Sequence, residues 1–367
     1  HQQLQLLHEV AQVYERELGD QESAFYVLQA AFNRDDRHEQ TRTELERLAA
    51  DTNLWHELRD DLAARSPQRA AAIGTIEAYQ QVLEHDPASA DALAALDRLY
   101  RQAEAWAPLA DILARRARLA ADDSDLVDLQ LELGSILAEQ LGDTGQAIVA
   151  YQKVLDVEPE NLVALRALEP LYEKTSQYDK YIAVLEGQLR ISAGDGERIS
   201  LYERIAATYE ERFADLQRAA AAYEQIIEID ARNYAAYHLL ARLYQQLGNA
   251  EALVETHQKH IAATTDASTR IELYVAMGQV YATRLRDLDR AIEAYNDALA
   301  LDPSEPHALD ALADLYAQLG EWDRAIDILG RVVQVSDDTR KPELFWRMGR
   351  IQYKELAEPG AAEANLL

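Results

Sequence analysis

"GQAIVAYQKVLDVEP", Gly145 to Pro159, is an ordinary amphipathic phrase that decides the fold because it recurs. It returns as "GTIEAYQQVLEHDP" ending at Pro87 and "RAIEAYNDALALDP" ending at Pro303, and more loosely as "RAAAAYEQIIEIDA" ending at Ala231. The phrase tyrosines are Tyr79, Tyr151, Tyr223 and Tyr295, each 72 residues from the last. A second ladder with the same spacing, in the context "LY", is Tyr100, Tyr172, Tyr244 and Tyr316. A third is Trp106, Tyr178, Ala250 and Trp322. Three ladders sharing one period identify a repeat array.

Within the phrase, Ala147, Ile148, Tyr151, Val154 and Leu155 fall on one face of a helix. Asp86-Pro87 and Asp302-Pro303 end that helix, since proline cannot continue it. Gly142-Asp143 and Leu319-Gly320 supply further breaks. No segment alternates as a strand does. Each unit therefore reads as four helices of ~12–15 residues, and the short connections make sequential neighbours antiparallel.

Gly134, Leu137, Ala147, Tyr151 and Pro159 together resemble the tetratricopeptide repeat. Gly278, Tyr281, Ala291, Tyr295 and Pro303 match that pattern more closely, and "LYAQLGEWDRAIDIL", Leu315 to Leu329, belongs to the intervening class. The resemblance covers essentially the whole chain. It implies an all-α, right-handed α-solenoid of stacked antiparallel helix pairs, a superhelix of about ten repeats. The 72-residue unit is then two repeats, one with an extra residue or so in its internal turn. Residues 1–65 hold N-terminal repeats and 71–367 the regular double repeats, in one solenoid over 1–367. Alanine at 147, 219 and 291 lets two helices cross closely, and tyrosine four residues later fills the seam between hairpins. One hairpin cannot bury its own apolar face, so stability comes from stacking.

Composition narrows the function. Apolar residues make up 48% of the 367, enough for a packed interior. The 36 basic against 65 acidic residues give a net charge of −29, which repels phosphate backbones and anionic lipid. Nucleic acid and membrane insertion are excluded as expectations, and no run of ~18 apolar residues occurs. The absence of cysteine removes disulfides, thiol nucleophiles and zinc fingers. It suits cytosol and periplasm alike, with the cytoplasm preferred. Arginine outnumbers lysine 30 to 6, hinting at a GC-rich bacterial genome. The chain starts with His1 and stops inside a helix at "AEANLL", as a fragment of a longer protein would.

Three places break the pattern. From Trp106 to Ala147 is 41 residues, but from Trp55 to Thr75, its counterpart, only 20. The 21-residue shortfall lies around Ala64 to Gly74. Either that repeat lacks a helix, leaving a groove or kink, or the sequence passes over a disordered or excised stretch. Second, Ala250 replaces an aromatic and His257 a leucine, which predicts a looser hairpin or a pocket. His257 and His260 lie one turn apart, but metal ligation needs a third convergent ligand. Third, Pro170 sits inside a helix and removes a bond to the carbonyl of Arg166, predicting a local bend.

Phosphate loop, dinucleotide fingerprint, zinc-protease motif and nucleophile elbow are all absent from the sequence, so no catalytic or cofactor role is expected. The acidic pairs Asp35-Asp36, Asp122-Asp123 and Asp337-Asp338 read as turn chemistry rather than calcium ligands. The resemblance implies that the first helix of each repeat lines a concave groove for a protein or peptide partner. Those helices would present Arg98 and Arg101, then Asp128 and Glu139, then Arg166 and Lys174. Glu203, Glu210 and Glu211 follow, then His238 and Arg242, Glu272, and finally His307, Asp310 and Asp314. Either neighbouring stripes pair with each other, or they select a partner of alternating charge. Some members clamp the C-terminal carboxylate of chaperones. The matching slots here hold Arg98, Ser135, Pro170, Ala207, Arg242, Gln279 and Asp314, which do not reproduce that clamp. Self-assembly through terminal repeats, giving a homo-oligomer, is the alternative.

Overall fold

A computed structural model of the protein describes residues 2–35, 38–63, 67–357 and 359–366. Among these residues every regular element is helical and no strand occurs, giving an all-α solenoid of antiparallel hairpins. The chain divides into two compact units, His1–Ile191 and Ser192–Leu367.

The first unit contains α1 (Gln2–Gln12), α2 (Gln21–Phe32), α3 (Glu39–Thr52), α4 (Trp55–Ala63), α5 (Pro67–His85) and α6 (Ala90–Gln102). It continues with α7 (Trp106–Leu119), α8 (Asp123–Ser135), α9 (Thr144–Val157), α10 (Leu162–Lys174) and α11 (Tyr178–Ile191). The second contains α12 (Asp195–Thr208), α13 (Leu216–Ile229), α14 (Tyr234–Leu247), α15 (Ala250–Ala263) and α16 (Ala267–Val280). It closes with α17 (Leu288–Leu301), α18 (Pro306–Leu319), α19 (Trp322–Val335), α20 (Lys341–Lys354) and α21 (Pro359–Leu366).

The surplus that makes every second repeat longer is not a turn insertion. It is an extra turn of helix: α8 runs on through the five-residue π-helical segment Ile136–Gln140, and α12 and α16 run on through Tyr209–Phe213 and Tyr281–Leu285. Each ends on a left-handed residue: Gly142 in the first unit, Ala214 (φ 51°) and Arg286 (φ 56°) in the second. An aspartate then starts the next helix. Asp143, Asp215 and Asp287 accept from the backbone N–H three residues on at 2.9, 3.0 and 3.1 Å, satisfying a donor the helix leaves unpaired. The acidic doublets behave likewise: Asp122 caps α8, and Asp337 accepts from the backbone N–H groups of Thr339 and Arg340. Asp36 lies outside the described residues.

Ala147, Ala219 and Ala291 are fully buried at their crossings, and Tyr151, Tyr223 and Tyr295 are buried beside them. The tyrosine ring lies against the preceding first helix so closely that a Cβ on Gly134 would stand 2.7 Å from Tyr151, and one on Gly278 2.7 Å from Tyr295. Pro170 sits within the continuous 13-residue helix α10.

Of the stretch Ala64–Gly74 where the 72-residue period places the shortfall, residues 64–66 lie outside the described chain and 67–74 belong to α5. On either side of residues 64–66, α4 packs against α5, and α3 reaches α7. Tyr79 is only half-buried, unlike its three counterparts.

Candidate functional site

All fifteen residues expected on the first-helix faces keep contact with solvent; Glu210 and Asp310 are half-buried and the rest exposed. Arg101, Lys174, Glu210, Arg242, Asp310 and Asp314 are each bonded to a neighbouring repeat. In the first unit the Arg101 guanidinium bridges to Glu132 of α8 and back to Asp97 on its own helix. In the second, Arg242 donates to both carboxylate oxygens of Glu210 at 2.8 and 2.9 Å. Arg340, just before α20, donates to both oxygens of Asp310 at 2.8 Å, and Arg347 pairs with Asp314. Lys174 reaches the Thr144 hydroxyl at 3.2 Å. The half-exposed pairs lock register between neighbouring first helices more than they stabilise, at ~0–1 kcal/mol each. Arg98 turns back to the Ala94 carbonyl, and His238 sets its ring edge-on to His260 at 5.4 Å. Asp128, Glu139, Arg166, Glu203, Glu211, Glu272 and His307 complete the set.

One stretch of these faces forms a cleft. α6, α8 and the end of α7 enclose about 810 Å³. Leu93, Ala94 and Leu129 make its apolar wall, while Arg101, Asp128 and Glu132 supply charge. Behind Arg101 stands Asp97, only 4% exposed, which also receives Arg116 from α7. Two guanidinium groups on one buried carboxylate fix the cleft's basic edge. Asp97 and Glu132 escaped the sequence reading, although Asp97 and Arg101 have the four-residue spacing that signals a helical ion pair.

The altered seam predicted at Ala250 and His257 carries three imidazoles. His260 is buried at 3% exposure, stacked on Tyr237 with centroids 4.7 Å apart and flanked by Tyr234 at 5.4 Å. His257 is half-buried; burial, with His260 and His238 nearby, pushes its pKa down to about 4. His260 is shifted down by burial and by His238. Among the described residues no group of three or more His, Cys, Asp or Glu side chains is placed to hold a metal ion. No described helix is long and apolar enough to cross a membrane.

Three stretches of the chain, 127–161, 236–271 and 282–341, match family models described as tetratricopeptide repeat. No curated protein matches the chain in sequence. Among solved structures, the chain is similar to the MamA protein at 22% identity, covering 46% of this chain and 88% of that one with a TM-score of 0.35. YrrB, described as a TPR protein with an unusual peptide-binding site, aligns at 18% identity over 51% of this chain and 88% of its own, TM-score 0.34. PilF of Pseudomonas aeruginosa aligns at 16% identity over 66% and 90%, TM-score 0.30.

Proposed function

We propose that this chain, which is a tetratricopeptide-repeat protein and so a scaffold for protein–protein interaction, holds an extended peptide segment of its partner against its first-helix faces, without catalysis. The observation that carries this is the α6–α8 cleft. Arg101 and Asp128, expected on the binding face from sequence, line one 810 Å³ space together with Leu93 and Leu129. An apolar wall between charges of both signs suits a segment that alternates apolar side chains with charges of both signs. The ion pairs between repeats hold the walls in place before binding, which lowers the ordering cost.

A labelled peptide repeating lysine, leucine, glutamate and leucine provides the test, with binding read by fluorescence anisotropy. Ala94→Phe fills the cleft without changing charge and is expected to weaken binding ~tenfold, equivalent to about 1.4 kcal/mol. Undiminished binding by the variant would remove this cleft as the site.

An exposed aromatic pair on α20, Trp346 at 51% and Tyr353 at 65%, favours a second reading in which copies stack through their repeats. Light scattering across a concentration series separates the two, and a strictly monomeric species would sink stacking.

A further inference from the structure

Grooves also recur on the opposite elements, between consecutive second helices. In the first unit α5, α6 and α7 enclose about 800 Å³ over Leu83, Leu96 and Ile112. In the second, α13, α14 and α15 enclose about 620 Å³ over Ile227, Leu240 and Thr256, the residues 144 positions further on. The two grooves are the same place in the repeat, but their chemistry differs.

The second-unit groove is lined by smaller side chains at three slots. Ala231 stands where the other three units have Pro87, Pro159 and Pro303. Ala252 stands where they have Pro108, Lys180 and Arg324, and Thr256 where they have Ile112, Val184 and Ile328. The corresponding groove between α17 and α19 is crossed instead, because Arg331 donates to the Pro303 carbonyl at 3.0 Å. Lys259 occupies the Arg331 slot but pairs with Glu255 of its own helix at 2.8 Å.

The charge is also distinct. Glu224, Glu228 and Glu255 line the groove with the single ammonium of Lys259. That ammonium is held charged by its hydrogen bond to Glu255 and by the fields of all three carboxylates. Glu224 further accepts the Tyr244 hydroxyl at 2.6 Å, which fixes one carboxylate at the rim. Three anions against one cation leave two negative charges beside an apolar floor. In the first-unit groove Glu84 and Asp111 face Arg115 and Arg118, so charge is balanced. In the α17–α19 hairpins Asn296 and Ala300 replace Glu224 and Glu228.

We propose that the groove enclosed by α13, α14 and α15 docks a basic, apolar-flanked peptide segment of a partner protein. One lysine or arginine side chain enters among Glu224, Glu228 and Glu255, and a leucine-sized neighbour rests on Ile227 and Leu240. Cation and carboxylates meet beside apolar walls, where their attraction is screened less than on open surface. The charged rim belongs to second helices, Glu224 and Glu228 on α13 and Glu255 and Lys259 on α15, with Leu240 of α14 beneath it.

The test uses the whole chain and a short fluorescein-labelled peptide alternating leucine and arginine, with a leucine–glutamate counterpart as control. The arginine peptide is expected to bind and its counterpart not. Replacing Glu224, Glu228 and Glu255 together by glutamine is expected to weaken binding at least ~tenfold, the loss of about one charge-assisted contact. Ala252→Phe blocks the groove sterically without adding charge and is expected to abolish binding, while Arg242→Glu on a first-helix face leaves it unchanged. Should Ala252→Phe lose helicity, the glutamine variant decides alone. Arginine-peptide binding that survives these changes would show only general attraction to an acidic chain, equal binding of both peptides would show apolar attachment without charge selection, and either would overturn the proposal.

Discussion

In the first unit the crossing of α6 and α7 is held by Asp97, buried and paired with Arg116. One period on, Glu169 accepts from the Gln188 amide at 2.9 Å. In the second unit the same two slots hold Ala241 with His260, then Ala313 with Val332. His260 answers its missing carboxylate by stacking on Tyr237, and Val332 is simply buried. One crossing thus accepts an ion pair, an amide–carboxylate bond, an aromatic stack or an apolar contact. The slot constrains volume and satisfaction of polar groups, and it leaves the chemistry free.

The two units are therefore expected to respond differently to pH. His257 titrates at about 4 in the folded chain against its ordinary 6.5, so the unfolded chain binds the extra proton between those values. The stability this neutral ring contributes is complete above pH 6.5 and falls as pH drops toward about 4, by roughly 3 kcal/mol. Amide exchange in α14 and α15 measures it. Leucine fills the His257 slot in the other three units, so His257→Leu is expected to flatten the profile; an unchanged profile would assign the effect to other groups.

The first unit breaks by a different route. Asp97→Ala strips Arg116 and Arg101 of their shared carboxylate. Breaking a buried pair costs ~3–5 kcal/mol, and the partly exposed guanidinium groups can turn to water, so about 2–3 kcal/mol is expected. Urea unfolding followed in the first unit reads this, and adding Arg116→Met should recover most of the loss. A loss below ~0.5 kcal/mol, the range of ordinary surface changes, would mean that the pair contributes little.

A finer comparison uses the tyrosine seam. Ala206 occupies the slot that Gly134 and Gly278 fill, so the fold admits a methyl there, whereas at Gly278 a methyl needs the Tyr295 ring to shift. Gly278→Ala forces that shift in a seam packed without it and is expected to cost ~1–2 kcal/mol. Thermal melting checks the change, and a stabilised variant would show that the ring is free to move.

The smallest effects are at the left-handed positions. Gly142 in the first unit stands at a slot where the second unit has Ala214 and Arg286. Ala214→Gly and Arg286→Gly are each expected to stabilise by ~0.5–1 kcal/mol, because glycine enters this conformation without steric cost. Gly142→Ala should lose a similar amount, and shifts of the same sign in both units would refute the equivalence of the slots.

The crossing alanines, seam tyrosines and helix-ending prolines were legible because each is a local requirement repeated every 72 residues. Stripe residues such as Arg101, Arg242 and Asp314 were expected together from their place in the repeat. Which group each one pairs with, Glu132, Glu210 and Arg347 respectively, was settled only by the distance between neighbouring helices. The extra π-helical turn was read as a longer connection, since a bulge inside a helix leaves no distinct sequence period. The second-helix groove carried a faint signal in Ala231, Ala252 and Thr256, but small residues alone do not say whether a neighbour fills the space they leave.

By itself, then, the sequence determined the helical repeat, its period, its caps and its seams, all set by contacts within one hairpin or between adjacent ones. Only the tertiary structure decided which charges neutralise each other across repeats, and that α14 and α15 stack imidazole on tyrosine where α6 and α7 use an ion pair. It also decided that Glu224, Glu228 and Glu255 converge on one lysine. The physical reason is distance: Coulomb and hydrogen-bond energies depend on separations of a few ångströms between side chains on different helices, and a one-dimensional period does not encode them.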